Sequence, residues 1–383
     1  CLLSRGLGDV YKRQAMKRPK SIFIEKLDGI DLIKSTTYLY VNGSRGVRLI
    51  LFFKWFLKAL IINPLNSFSI IYKTIIHSNF LSYSTILFYL SVKKIDIIHV
   101  HFGHAGVFIR DIKKFTDTPI VVSFYGWDYS QDLPSRKEEY IKMFNAVDGI
   151  TAMNEFMKKK LLKFGCPENK IDIIRIWAKD DFNLVGSLPP KPRQNNSIRI
   201  LSIGRLEEKK GYKYCLDAIS KLKNMHYDIE YKIIGDGGLE NELKELTNQL
   251  AIDNITHFEG LKSRNEIISY INNSDIFLLH SVTGTNGDME GTPTVILESG
   301  LSQKPVISTY HAGIPEIIEN NESGFLVEER DTDTMVKYLI KLISNSDLRN
   351  KFGFNLKEYI NKEYSEEINH KRFIEKYSKY ISR

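Results

Sequence analysis

Two glutamates stand at the ends of the segment EGTPTVILE, where Glu290 comes first and Glu298 last, separated by seven residues. Between them, Thr292 is a favourable N-cap residue and Pro293 suits the first helical position, so a helix is predicted to begin between the two acids. Glu290 would then lie in a loop, and Glu298 about 9 Å along the helix axis from Thr292, at about 1.5 Å per residue. The free N–H groups at this helix start form an anion site suited to a diphosphate, and the flanking carboxylates can accept hydrogen bonds from sugar hydroxyls.

A second segment whose residues could take part in the chemistry, GRLEEKKG, follows the strand-like run IRILSI. Gly204 permits a close approach of the backbone to a ligand, while Arg205 and Lys210 can supply positive charge. Fixed cations aimed at a departing nucleoside diphosphate stabilise its developing negative charge without a metal. Taken alone this segment is unspecific, because a charged loop after a strand is common and its lysines are often solvated.

The elements that must position these residues form a regular pattern. Short apolar, β-branched runs alternate with helix-length amphipathic stretches, as in parallel sheets covered by helices. The pattern occurs twice, and a stretch rich in proline, glycine and polar residues separates the two series. We therefore predict an α/β fold of two Rossmann-like domains facing a central cleft, with ligands at the carboxyl ends of the strands. The predicted segments are a first domain at 16–183, a linker at 184–197, a second domain at 198–365 and a final helix at 366–383.

The first residues, CLLSRGLGDVYKRQ, do not join this pattern. They open on Cys and are similar to translated adapter sequence, so residues 1–15 are interpreted as a non-native segment. A natural flexible terminus is the alternative. If the segment is foreign, a genuine N-terminal stretch of the first domain has been lost, and the chain as written is expected to have weak or no activity.

Composition and charge indicate which class of protein this is and which partners it is expected to have. Hydrophobic residues make up 43% and charged residues 26%, which is typical of a globular protein. Cys166 and Cys215 lie in no metal-binding or disulfide pattern, which indicates the reducing cytosol. The net charge of +8 is concentrated between Asp31 and Asp96, where the sequence has no acidic residue. No nucleic-acid-binding motif accompanies this charge, so nucleic acid is not expected as a partner.

Within this basic region, residues 47–62 form an apolar run interrupted by Arg48, Lys54 and Lys58. The run is shorter than the roughly 20 uninterrupted apolar residues of a membrane-spanning helix. Two interpretations remain open. One is an ordinary core helix with solvated lysines. The other is a basic amphipathic helix on an anionic membrane surface, with the two lysines on one face and Trp55, Phe52 and Leu51 near the other.

Several segments occur in an order that resembles glycosyltransferase family 4, especially members that build bacterial exopolysaccharides such as colanic acid. They are GRLEEKKG, IIGDGGLENELKEL, the turn HFEG and HSVTGTNGDMEGTPTVILESGLSQKPVISTYHAGIPEII. The resemblance runs from about residue 95 to residue 330 and implies a GT-B fold. It also implies a retaining transferase that takes a sugar from a nucleoside-diphosphate sugar and needs no metal and no cofactor.

The resemblance assigns roles within the two domains. It implies that Glu298 binds the ribose hydroxyls, that Glu290 contacts the transferred sugar, and that Arg205 and Lys210 hold the diphosphate. The second domain would bind the nucleotide sugar and the first a saccharide acceptor, which in these families is often lipid-linked, at the inner face of the plasma membrane. The remaining donor-side candidates are Gly204, Gly235, Gly260, Leu261, Asp288, Gly291, Thr292 and Thr294.

The acceptor side is predicted from the ends of two strands in the first domain. HVHFGHAG and SFYGWDYS supply the candidates His101, Tyr125 and Asp128. His99 and His101 share one sheet face, but without a carboxylate or cysteine beside them they are interpreted as structural rather than metal-binding. Many members of the family carry His where Tyr125 stands, which leaves the role of that position open.

Three other functions remain possible at this level. One is a protein that binds a nucleotide sugar without transferring it, and another is a sugar-nucleotide epimerase of the same fold. A phosphorylase is the third, although its pyridoxal-binding lysine motif is not found in the sequence.

Overall fold

The computed structural model describes residues 26–27, 30–31, 44–93, 95–178, 180–182 and 197–381. The expectations for residues 1–15 and for the linker up to residue 196 lie outside these ranges. Two short strands, β1 (Lys26–Leu27) and β2 (Ile30–Asp31), pair antiparallel. The remaining strands form two parallel sheets, one in each half of the chain.

The first sheet has the order β3-β4-β5-β6, and all its neighbouring strands are parallel. Its strands are β3 (Ile98–His101), β4 (Ile120–Ser123), β5 (Gly149–Ala152) and β6 (Ile171–Ile173). Its helices are α1 (Arg45–Ile62), α2 (Pro64–Thr74), α3 (Phe80–Val92), α4 (Gly103–Ile109), α5 (Lys137–Ala146) and α6 (Glu155–Lys163). All four residues of β4 and of β5 are buried, which explains why these strands read as continuous apolar runs.

The second sheet has six parallel strands in the order β12-β11-β10-β7-β8-β9. Its strands are β7 (Ile198–Ile203), β8 (Ile229–Ile234), β9 (Thr256–Gly260), β10 (Ile276–Leu278), β11 (Val306–Thr309) and β12 (Phe325–Val327). Its helices are α7 (Tyr212–Asn224), α8 (Glu240–Gln249), α9 (Arg264–Asn273), α10 (Thr294–Leu301), α11 (Thr332–Ser344) and α12 (Ser346–Glu363). The predicted architecture of two parallel α/β domains is confirmed.

The order of this sheet creates one particular crevice. From the central strand β7 the chain builds outward to β8 and β9, and then returns to the other side of β7 for β10, β11 and β12. Ligands of such sheets bind where the direction of strand addition reverses, beyond the carboxyl ends of the strands. That position is filled by the loops after β7 and β10, which contain GRLEEKKG and the residues before EGTPTVILE.

The last helix, α13 (Glu366–Ile381), returns to the first domain. The hydroxyl of Tyr377 hydrogen-bonds the Nδ1 atom of His99 on β3, and Lys376 forms an ion pair with Asp172 on β6. The chain therefore crosses between its two halves a second time at its end.

Helices α1 to α3 form a separate apolar cluster beside the first sheet. Phe52, Trp55 and Ala59 of α1 are buried in this cluster. Of the two open interpretations of this helix, the one that places Trp55 and Phe52 toward a membrane is wrong for these two residues, because their side chains pack within the protein. Among the helices that the structure describes, none is long and apolar enough to cross a bilayer.

Candidate active site

Three glycines meet at the carboxyl ends of the neighbouring strands β7, β8 and β9. Gly204 follows β7, Gly235 follows β8, and Gly260 ends β9, where its carbonyl accepts a hydrogen bond from the Gly235 N–H at 3.0 Å. A Cβ atom on Gly235 would lie 2.0 Å from the carbonyl oxygen of Gly204, so a larger residue would separate the two loops. Gly235 is thus required for the close approach of the two loops, and contact of Gly204, Gly235 and Gly260 with a donor stays a prediction.

A buried ion pair joins the two predicted motifs. Lys210 Nζ lies 3.0 Å from Glu290 Oε1, and both side chains are about one-tenth exposed. Burial alone would raise the pKa of Glu290, but Lys210 and then Lys209 outweigh it, so the pKa of Glu290 lies below its usual value. Glu290 is therefore ionised at neutral pH and fixes the Lys210 ammonium in the crevice.

Further charges surround this pair. Lys209 Nζ lies 2.8 Å from Asp288 Oδ2, and Asp288 Oδ1 accepts a hydrogen bond from the Ser130 hydroxyl at 3.2 Å. Arg205 lies on the same loop as Lys210, and its guanidinium lies 2.6 Å from a carboxylate oxygen of Glu207. Asp288 thus ties Lys209 to the first domain, whereas Arg205 is one-third exposed at the crevice.

The backbone of Glu290 is held by a buried histidine that the sequence reasoning missed. The Glu290 N–H donates to His311 Nε2 at 3.0 Å, and His311 Nδ1 lies 2.6 Å from Glu329 Oε1. Because Nε2 accepts a hydrogen bond, the imidazole carries its proton on Nδ1 and donates it to Glu329. Glu329 is itself positioned by the backbone N–H of Thr283, at 2.8 Å. The only sequence signal was the position of His311 within the segment HAGIPE.

Helix α10 begins one residue later than predicted. Its N-cap position is Pro293, and no side chain caps it, so the prediction that Thr292 is the N-cap is wrong. The Thr292 hydroxyl instead accepts a hydrogen bond from Asn154 Nδ2 at 3.0 Å, so it contacts the first domain rather than the N–H groups of the helix. Thr294 is the first helical residue, and the first-turn N–H groups lack a side-chain acceptor, as an anion site requires.

Glu298 lies on α10, and its environment differs from that of Glu290. Burial raises the pKa of Glu298 to about 7, although Arg264 acts in the opposite direction. Arg264 is held by Asp181, whose Oδ2 atom accepts from its Nε at 2.6 Å. A carboxyl group with this pKa changes protonation near neutral pH, so its hydrogen bonding to a ligand depends on pH. Leu261, the remaining donor-side candidate, is largely exposed on the loop between β9 and α9.

The first domain contacts the EGTPTVILE loop directly. The Tyr129 hydroxyl donates to the carbonyl oxygen of Glu290, and Asn154 Nδ2 donates to the carbonyl oxygen of Gly291 at 3.1 Å. A Cβ atom on Gly126 would lie 2.8 Å from the backbone nitrogen of Gly291. The two domains are therefore in contact at this loop.

Tyr125 precedes Gly126 and belongs to a hydrogen-bonded group on the first domain. Its hydroxyl lies 2.6 Å from His101 Nδ1, and its backbone N–H donates to Asp128 Oδ2 at 2.8 Å. Burial raises the pKa of Asp128, despite the hydrogen bonds and the His104 imidazole that favour its charged form. The structure thus brings the three acceptor-side candidates together, next to the EGTPTVILE loop.

His99 and His101 have ring centroids 4.3 Å apart, with their ring planes tilted by 35°. His99 Nε2 lies 2.7 Å from the Ser123 hydroxyl, and its other nitrogen bonds Tyr377. Burial lowers the pKa of His99 to about 3, with a further contribution from His101. No group of three or more metal-ligating side chains occurs in the part of the chain that the structure describes.

Comparisons with known proteins match both halves of the chain. Residues 45–176 match the family model described as Glycosyltransferase Family 4, and residues 188–359 match the model described as Glycosyl transferases group 1. The crystal structure of Anabaena Alr3699/HepE in complex with UDP has a TM-score of 0.69 at 16% identity and covers 78% of this chain and 82% of that chain. That likeness establishes the shared fold.

Sequence relatives agree with the family models. The amylovoran biosynthesis glycosyltransferase AmsK of Erwinia amylovora is 36% identical over 253 residues, 64% of this chain and 61% of that protein. The putative colanic acid biosynthesis glycosyltransferase WcaL of Escherichia coli strain K12 is 33% identical over 248 residues, 64% of this chain and 60% of that protein. This chain therefore spans about 60% of the length of these two relatives. The uncharacterized glycosyltransferase MJ1178 of Methanocaldococcus jannaschii is 31% identical over 278 residues, 70% of this chain and 71% of that protein. The chain belongs to the family 4 glycosyltransferases, which have the GT-B fold.

Proposed function

We propose that the protein is a retaining glycosyltransferase that moves a sugar from a nucleoside-diphosphate sugar to a saccharide acceptor. The observation that carries this proposal is the Lys210–Glu290 ion pair at the crevice between β7 and β10, beside the uncapped start of α10. The diphosphate would lie against Lys210, Arg205 and the first-turn N–H groups of α10. Glu298, farther along that helix, would accept hydrogen bonds from the ribose hydroxyls.

In the proposed reaction the bond between the anomeric carbon and the phosphate oxygen breaks, and an acceptor hydroxyl oxygen takes its place on the same face of the sugar. The hydroxyl proton leaves with the diphosphate. Negative charge grows on the departing group, and cations that are already in place stabilise it without reorganisation. Lys210 is such a cation because Glu290 holds it in position at 3.0 Å. On this proposal the charge is stabilised without a metal or another cofactor.

The relatives support a role in the synthesis of a cell-surface polysaccharide. AmsK is named for amylovoran biosynthesis and WcaL for colanic acid biosynthesis, and HepE is described in complex with UDP. We propose a saccharide acceptor carried on a lipid, at the cytoplasmic face of the membrane, where the protein associates peripherally. UDP-sugars are the first donors to test.

The test measures the thermal shift of the whole chain with UDP-, GDP-, ADP- and dTDP-sugars. Glu298→Ala is the test variant, and Glu245→Ala is the matched control, because Glu245 is exposed on α8, away from the crevice. We expect one nucleotide class to raise the melting temperature of the wild type and of Glu245→Ala, but not that of Glu298→Ala. A shift that survives in Glu298→Ala would remove Glu298 from the ribose site.

Transfer is tested separately with the donor class so identified and a membrane lipid extract as acceptor. The expected product keeps the anomeric configuration of the donor, as measured by NMR coupling constants. Binding of the donor with no transfer to any saccharide would favour a nucleotide-sugar-binding protein instead. Inversion at the anomeric carbon would contradict the retaining mechanism.

A further inference from the structure

Helices α1 and α2 each have a buried face and, on the opposite side, an exposed apolar face. Toward the protein, α1 buries Phe52, Trp55 and Ala59, and α2 buries Ser67, Ile70 and Thr74. On the opposite side of each helix a second row of apolar side chains is exposed. In α1 this row is Ile50, Phe53, Leu57 and Ile61, and in α2 with the turn that follows it the row is Leu65, Phe68, Tyr72 and Ile76.

The spacing of these eight residues is the same in both rows. Each row follows the positions i, i+3, i+7 and i+11, which at about 100° per residue form one narrow stripe along a helix. The buried residues stand about 180° away on the same helix. The eight exposed side chains keep between 54% and 85% of their accessible surface. Two solvent-facing stripes of this kind have no role in the core.

The two stripes belong to one surface. Both helices pack their buried faces against α3, so their opposite faces point away from it. Phe56 of α1 and Phe68 of α2 contact each other with ring centroids 6.3 Å apart, which keeps the helices side by side. We call the eight exposed residues together with their flanking lysines the α1–α2 surface. A continuous exposed apolar surface of this kind is typical of a site that binds another protein or a membrane.

The charges beside the stripes indicate what docks. Lys54 and Lys58 follow Ile50 by four and eight positions, which places them about 40° and 80° from it around α1. Lys73 follows Leu65 on α2 by eight positions, and all three lysines are exposed. Residues 44–93 contain no Asp or Glu. A row of apolar side chains with a one-signed cationic border matches the interface of an anionic bilayer, where acyl chains lie beneath negative headgroups.

The same charges disfavour a second copy of this chain as the partner. A symmetric contact through the α1–α2 surface would bring the lysine borders of the two copies together without an acidic group from these helices to neutralise them. Like charges facing each other across an interface oppose association. We propose that the α1–α2 surface docks the protein on anionic lipid, with the stripes in the headgroup region and α3 on the protein side.

This inference extends the proposed transfer to a lipid-linked acceptor and rests on it for its purpose, but it is tested without transfer. Wild type is sedimented with vesicles of phosphatidylcholine, alone or mixed with phosphatidylglycerol. The stripe variant is Phe53→Ser/Leu57→Ser, and its matched control is Phe354→Ser/Ile374→Ser, whose targets are similarly exposed on α12 and α13. The charge variant is Lys54→Glu/Lys58→Glu, with Lys159→Glu/Lys337→Glu as control.

We expect wild type and both controls to bind only the anionic vesicles. The stripe and charge variants should bind these vesicles at least about tenfold more weakly. The stripe variant and both controls should keep the wild-type melting temperature and the donor-induced shift, because their side chains lie on the surface. The charge variant loses the contacts of Lys54 and Lys58 with the Trp55 ring, at 5.7 Å and 5.0 Å, so its vesicle binding is measured below its own melting temperature. A further variant, Phe53→Trp, should lose fluorescence with brominated lipids, whereas Phe354→Trp should not.

The proposal is overturned if wild type does not bind anionic vesicles, or if the controls lose binding as much as the test variants. It is also overturned if wild type is a dimer that the stripe variant converts to monomer, since a second copy then occupies the surface. Normal vesicle binding without a donor shift would leave the docking surface intact and count against the proposed transferase function alone.

Discussion

The two sides of the domain contact each hold a buried carboxylate, and the pKa values of these two groups are displaced in opposite directions. On the second domain, Glu290 is buried but its pKa lies below its usual value, because Lys210 and Lys209 outweigh the cost of burial. On the first domain, burial raises the pKa of Asp128, because its partners are backbone N–H groups and the His104 imidazole, 3.7 Å away.

Burial alone therefore does not decide the charge of a site; the fixed cations within reach decide it. The second domain presents an array of ionised side chains, suited to the phosphates of a donor. The first domain presents hydroxyl, imidazole and a carboxyl group with little stabilisation of its charge, suited to the neutral hydroxyls of an acceptor. Substitutions that remove the charges of the second domain, or fix the uncharged state in the first, should reveal which of these charges the reaction needs.

The largest effect is expected for Lys210→Ala. This change removes the cation nearest to the proposed diphosphate and leaves Glu290 buried without its ion-pair partner. We expect kcat/KM to fall about 100-fold to 1,000-fold, since loss of one charge-stabilising group has this effect in other enzymes. Steady-state rates of nucleoside-diphosphate release measure it.

Lys213→Ala is the matched control, because Lys213 is an exposed lysine at the start of α7. In the double variant Lys210→Ala/Glu290→Gln, the melting temperature should recover part of its loss while the rate stays low. A double variant that recovers activity would show that Lys210 serves only to neutralise Glu290.

The next largest effect is expected at Asn154, which joins the two sides. Its amide nitrogen donates to Gly291 and Thr292, while its Oδ1 atom accepts from the Met157 N–H at the start of α6. Asn154→Asp keeps the acceptor and removes both donors, so kcat should fall about tenfold with an unchanged cap. Asn154→Ala loses the cap as well and should lower the melting temperature further. Equal kcat values for wild type and Asn154→Asp would show that this contact does not position the loop.

The site residues of the second domain were easier to predict from sequence than those of the first domain. EGTPTVILE and GRLEEKKG are local patterns that follow predicted strands, and parallel strands deliver their loops to a common edge. The strands themselves could be predicted because consecutive apolar, β-branched residues mark a sheet buried on both faces. The resemblance to family 4 then supplied the roles of individual residues.

The contacts that could not be predicted from sequence join residues that are far apart along the chain. Thr292 was predicted to cap α10, but Asn154, 138 positions earlier, bonds its hydroxyl. Tyr129 contacts the Glu290 backbone across 161 positions, and nothing near Tyr129 in sequence marks this role. His311 is likewise visible only through its contact with the Glu290 N–H. In α1, residue types alone could not show which of two apolar faces is buried.

A smaller, pH-dependent effect is expected for Glu298→Gln. The pKa of Glu298 is raised from 4.5 to about 7, chiefly by burial. As pH rises between these values the unfolded chain releases this proton before the folded chain does, so the wild type loses stability relative to Glu298→Gln. A nucleotide sugar whose ribose hydroxyls donate to the carboxylate should bind severalfold more tightly to the wild type as pH rises through about 7.

Isothermal titration from about pH 5.5 to about pH 8 measures this binding, and melting curves over the same range measure the stability. Glu298→Gln should show a flat profile in both measurements. Glu245→Gln is the control and should follow the wild type. A donor affinity of wild type that falls as pH rises would contradict the proposed contact with the ribose.

The smallest effect is expected for Asp128→Asn, compared with Glu290→Gln. The amide that Asp128→Asn introduces would resemble the protonated carboxyl group that burial favours, and its oxygen can still accept the Tyr125 N–H. We therefore expect less than about a threefold change in kcat/KM at neutral pH, whereas Glu290→Gln should cost about tenfold or more because Lys210 loses its ion-pair partner. The raised pKa of Asp128 also predicts that wild type loses stability relative to Asp128→Asn as pH rises above the usual carboxyl range. If Asp128→Asn is as damaging as Glu290→Gln, the first domain uses a charged carboxylate after all, and the contrast between the two sides does not extend to the reaction.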